Sequence, residues 1–143
     1  MAITQSLCTS FKVELLDGIQ DFSASGGDTF KMALYTSSAT LGPTTTVYSS
    51  TNEISGAGYT AGGNTLIISQ TPTSAGTTAF LSFTNTTWTG ATFTCRGAMI
   101  YNSSKANRSV AIFDFGSDKT VLDGTFTIEF PVANATSAVI RIA

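Results

Sequence analysis

Three carboxylates, Asp114, Asp118 and Asp123, form the densest group of residues in the sequence that could do chemistry. Two carboxyl groups suffice for glycoside hydrolysis, one as acid and one as base or nucleophile. Asp118 and Asp123, however, fall in a stretch rich in turn formers, where Asp is common for backbone reasons. The same three residues could offer oxygens to calcium, yet they lack the Asp-x-Asp-x-Asp-Gly loop spacing. The chain contains no histidine. That removes the usual general base, the Ser-His-Asp triad and most zinc or copper sites. The loop glycines Gly56, Gly58, Gly62 and Gly63 are not followed by the Lys-Ser/Thr of a phosphate cradle. Trp88 could be a sugar-stacking platform, but it reads better as a large residue closing the end of a core. The expectation is a protein that is not an enzyme and carries no cofactor and no metal.

The elements that must position these residues are strands. Between Thr87 and Phe115 two apolar, alternating runs flank a polar connector at residues 102–109, which carries Lys105 and Arg108. A hairpin apolar on both faces needs cover on both faces, which calls for a two-layered sheet structure. Further strands are expected at residues 29–36, 65–70, 78–84, 125–130 and 137–142, with turns or loops at 71–76 and 116–124. Residues 9–17 fit either a strand or a helix. We favour a short helix with Phe11, Leu15, Leu16 and Ile19 on its apolar side, started at Thr9 or Ser10 and stopped at Gly18. The fold class is therefore all-β, an antiparallel β-sandwich or jelly roll of about eight strands with at most one short N-terminal helix.

With 143 residues the chain is long enough for one self-sufficient domain, spanning 1–143 with an N-terminal arm at 1–10 and a long loop at 37–64. Tyr48, Ile54 and Tyr59 are isolated anchors in that loop, read first as pinning it to its own domain. Charged residues make up only 11% of the chain and the net charge is −2. Nothing there draws the protein onto nucleic acid. Cys8 and Cys95 are too few and too far apart to read as a disulfide framework. The first ten residues lack the features of a signal peptide and no stretch approaches the ~18 apolar residues of a membrane span, so folding in a cytoplasm without a membrane partner is expected. The sequons at Asn85 and Asn134 are then chance products of a Thr-rich composition.

Two segments, Asp28 to Gly63 and Arg96 to Thr120, resemble a family of small tailed-phage virion proteins, nearest the jelly-roll cement, or decoration, proteins that coat the outside of phage heads. The similarity runs from about Ser10 to the C-terminus and lies in the order of segments. The resemblance implies a non-enzymatic clamp, made in the host cytoplasm, that binds across junctions between major capsid protein subunits on the outer capsid surface as a homodimer or higher homo-oligomer. It offers no catalytic residue to carry over. The candidate contact residues are Phe11 in the N-terminal segment, Tyr48 and Tyr59 in the long loop, and Lys105 and Arg108 in the connector. Two rival classes remain: a tail-associated receptor-binding or carbohydrate-binding sandwich, and more remotely a hydrolase using Asp114.

Overall fold

Two long strands, β6 (Thr86–Asn102) and β7 (Arg108–Ile128), form an antiparallel hairpin that runs the length of the molecule in the computed structural model, which describes residues 2–143. Near the hairpin turn, Ala98, Met99, Ile100, Val110, Ala111 and Ile112 are all buried, as a doubly apolar pattern demands. β2 (Phe30–Tyr35) covers the other edge of β6, pairing Phe30 with Asn102 through Tyr35 with Gly97. Two-residue strands finish this sheet, β1 (Ser6–Leu7) beside β7 and β3 (Asn64–Thr65) beside β2, giving the order β1-β7-β6-β2-β3. A second sheet has the order β4-β5-β8, from β4 (Ile68–Ala75), β5 (Thr78–Phe83) and β8 (Ile140–Ile142). The described residues thus form an all-β sandwich of two antiparallel sheets and eight strands with one short helix. Its strand order is that of hairpin neighbours, with β6 on β7 and β4 on β5.

Aromatic rings tie the layers together. Phe22 stacks on Phe30 of β2 at 4.3 Å, and both tilt against Phe83 of β5 at 6.4 and 6.1 Å. Ring pairs in these geometries add to what burial alone contributes. Farther along the hairpin, Phe126 packs on Phe93 at 5.3 Å and on Trp88 at 6.1 Å, so the ribbon carries its own aromatic filling.

The helix α1 (Thr9–Leu16) ends as its sequence requires. Gly18, at φ 71°, donates its N–H to Leu15, and Ile19 donates to Glu14. These are the two bonds of a Schellman cap, which needs a left-handed residue just beyond the helix. Gly18→Ala should therefore cost about 1 kcal/mol in a urea melt, although the position has open space around it.

Two expected irregular stretches are strands instead. Residues 116–124 belong to β7, but its pairing slips there: Cys95 faces Lys119 while Gly97 faces Asp114, so two steps along β6 match five along β7. The surplus forms a bulge marked by Gly116 at φ 79°, and a second slip, where Ala91 faces Gly124 and Phe93 faces Val121, holds Asp123 at φ 46°. Bulges and charges on a sheet edge also discourage another chain from pairing there, which is why this strand reads as a turn. Residues 71–76 lie in β4 up to Ala75, and the turn is confined to Gly76 and Thr77. Pro72 is tolerated because β4 is an edge strand whose register shifts between Gln70 and Thr73.

The N-terminal stretch is laid down on the domain, with Thr4 donating to Leu41, Leu41 to Ala2 and Cys8 to Val110. The first residue of the expected arm lies outside the described residues.

Candidate functional site

The long loop between β2 and β3 is held by the four tyrosines of the chain, two of which meet on one carboxylate. Glu53 accepts hydrogen bonds from Tyr48 at 2.6 Å, from Tyr59 at 2.5 Å and from the Gly62 N–H at 2.7 Å. Tyr59 Oη also accepts the Leu34 N–H, while Tyr101 donates to the Gly62 carbonyl and Tyr35 to that of Ser49. The Tyr48 ring stacks on Tyr101 at 4.5 Å. Tyr48 and Tyr59 thus hold the loop to its own body, as their isolation in a polar stretch suggested.

Burial, followed by the Glu53 charge, pushes the Tyr101 hydroxyl up to about 12, and burial with the same carboxylate raises Tyr35, Tyr48 and Tyr59 further. A group with a raised folded pKa stabilises the fold below its unfolded value and loses that contribution as pH climbs toward the folded one. The tyrosines should accordingly leave stability unchanged from neutral pH up to about 10 and weaken the fold progressively above it, since free tyrosine ionises near there. Tyrosinate absorbance should rise together with the loss of strand dichroism; a rise that precedes unfolding would show the cluster to be open.

A second polar cluster fixes the β6–β7 turn to α1. Glu14, only 8% exposed, takes hydrogen bonds from Gln20 Nε2 at 2.8 Å and Arg108 Nη1 at 3.2 Å. Gln20 Oε1 accepts from Asn102 Nδ2, which also donates to Asp28, and Lys105 sits 3.5 Å from the same Asp28. A buried carboxylate persists when paired and hydrogen-bonded, and Arg108 supplies the charge. Lys105 and Arg108 therefore spend their charges within the chain. Phe11, expected to touch a partner, is a correction: it is fully buried and meets Phe22 edge-on at 6.0 Å, because it occupies the inner side of α1.

The residues singled out for chemistry do not assemble. Asp114 pairs with Arg96 at 3.2 Å and accepts the Gly116 N–H, and that amide, ahead of the guanidinium, holds its carboxyl below the usual range. Asp118 and Asp123 follow on a bulged strand, and no group of three or more His, Cys, Asp or Glu lies close enough to share a metal among the described residues. Trp88 is 3% exposed and stacked toward Tyr59 at 6.2 Å, so its face is closed to a ligand. Cys95 is buried, which pushes its thiol up to about 12, and burial raises Cys8 as well. Neither is a ready nucleophile.

What the sequence reading missed is the outer side of α1. Val13 is 53% exposed and Leu16 is 90% exposed, whereas Glu14 between them points inward. Leu16 was expected on the apolar side with Phe11 and Leu15; the inner face is set instead by the Glu14, Gln20 and Arg108 cluster, which fixes the rotation of the helix. Val13 and Leu16 thus leave apolar surface on the outside of a helix whose inner side already buries Phe11. Beside it an apolar groove of about 310 Å³ opens between Leu15, Phe22, Phe80 and Ile142, with Asp21 among its polar residues. Comparison with known proteins returns nothing similar to this chain: no protein-family profile, no curated protein and no solved structure matches it.

Proposed function

We propose that this chain is a structural virion protein of a tailed phage, a cement protein that binds the outer surface of the head across major capsid protein subunits and stiffens the shell. The observation that carries the reading is the outward α1 face, where Leu16 and Val13 stand in water while a carboxylate is buried behind them. Covering one such leucine stabilises a contact by about 1.5–3 kcal/mol. One patch of that size binds weakly, but a lattice of neighbouring copies raises the effective concentration and makes it sufficient. A body whose loop and turn are stapled by Glu53 and Glu14 loses little freedom on docking, which favours a rigid clamp. The order of segments at residues 28–63 and 96–120, which resembles that of decoration proteins, prompts this reading and with it a homodimer or higher homo-oligomer on the shell.

Leu16→Asp tests it. The side chain is solvated in the isolated protein, so the melting temperature should stay within a degree or two, while co-sedimentation with heads lacking this chain should weaken at least tenfold. Wild-type protein should restore the thermal stability of those heads. A variant that binds as well as wild type, or a wild type that leaves heads in the supernatant, would reject the assignment.

A further inference from the structure

The loop that the tyrosines staple down does not collapse onto the sheet; it borders an open, solvent-facing cavity of about 530 Å³ beside β2 and β6. Cavities of this size hold small organic ligands. Leu41 and Val47 give it an apolar side, and Thr44, Thr46, Thr51 and Asn52 give it polar groups. No Asp, Glu, Lys or Arg lines it. Its remaining titratable group, Tyr35, has its hydroxyl committed to the Ser49 carbonyl at 2.7 Å and is kept neutral by burial.

The cavity wall is preformed. Gly42 N–H is held by Thr45 Oγ1 at 3.0 Å, Ser109 Oγ donates to the Thr45 carbonyl at 2.7 Å, and Asn52 Nδ2 reaches the Ser38 carbonyl at 3.2 Å. By contrast the hydroxyls of Thr44, Thr46 and Thr51 and the side-chain carbonyl of Asn52 have no hydrogen-bond partner among the described residues. Each hydroxyl both donates and accepts, and the amide oxygen accepts. An uncharged site offering several such groups beside apolar carbon fits a molecule with the same make-up.

We propose that this cavity binds a neutral saccharide, with the threonine hydroxyls and Asn52 reading sugar hydroxyls and with Leu41 and Val47 against the ring carbons. A phosphorylated or carboxylated sugar is disfavoured, because its charge would lose water without meeting a cation. The site uses none of the residues of the α1 face and is independent of shell binding.

The test is an amide-resolved NMR titration of the full chain with methyl glucoside, maltose and N-acetylglucosamine, and with glucose 6-phosphate as the charged comparison. At least one neutral sugar should shift resonances confined to residues 35–52 and the neighbourhood of Met99, with a Kd on the order of millimolar. Thr46→Val and Thr51→Val, which preserve shape at exposed positions, should each weaken that binding about fivefold without changing the melt. The proposal is overturned if no neutral sugar gives confined shifts up to about 100 mM, if both valine variants bind as wild type, or if glucose 6-phosphate binds more tightly than the neutral sugars.

Discussion

Replacing Glu53 with alanine should lower the unfolding free energy by about 3–5 kcal/mol, because Tyr48, Tyr59 and the Gly62 N–H lose their common acceptor at once. A domain of this size has only about 5–15 kcal/mol in total, so the variant should sit near the edge of folding at 37 °C. Glu53→Gln keeps one carbonyl oxygen and should lose roughly half as much. Local effects should exceed the global one. Hydrogen exchange at residues 38–63 should accelerate first, while amides of β6 and β7 near Met99 and Ile112 stay protected. Combining Glu53→Ala with Tyr59→Phe should be strongly non-additive, with a coupling of about 1 kcal/mol or more, since both remove the same bond. A urea midpoint within experimental scatter of wild type for Glu53→Ala would show that the carboxylate does not organise the loop.

The second large effect belongs to Gly63. Its φ is 78°, and a Cβ there would lie 1.7 Å from the Met32 carbonyl oxygen and 2.5 Å from its carbon. Both are backbone atoms of β2 and cannot swing aside. Gly63→Ala should therefore push β3 off the sheet and cost more than about 3 kcal/mol, combining left-handed strain with a clash. Gly76 is the control: at φ 60° in the open β4–β5 turn it has nothing within 4 Å, and its alanine variant should cost only about 1 kcal/mol. Equal losses at the two sites in the same denaturation experiment would mean that the close approach at Met32 is not what fixes β3.

Where residues alternate and both neighbours agree, the sequence announces the structure. The outer part of β6 was visible because its burial alternates through Trp88, Phe93 and Cys95, and β2 and the hairpin near Met99 and Ile112 because they are apolar on both faces. Gly18 marked the end of α1 because only a residue free of Cβ strain closes that cap cheaply. The bulged part of β7 was hidden, since Gly116, Asp118 and Asp123 look like turn residues whether they end a strand or kink it. Pro72 hid the end of β4 for the same reason. The outward turn of Leu16 depends on partners remote in sequence: Arg108 reaches Glu14 across 94 residues, and no local window contains that contact. Tyr48 and Tyr59 reach Glu53 from five and six residues away, but Tyr101, which bonds the Gly62 carbonyl and stacks on Tyr48, arrives from β6 and is not visible locally. Phe11 shows the opposite error, a large apolar residue near a terminus taken for a contact when it is core.

The most direct measurement is a cryo-electron microscopy reconstruction of virions assembled with this chain. A two-sheet body should appear on the outside of the head, seated across capsid subunits, with the Val13 and Leu16 side of α1 turned into the shell. Density for the chain on the tail alone, or on the head with that side of α1 facing solvent, would contradict that placement.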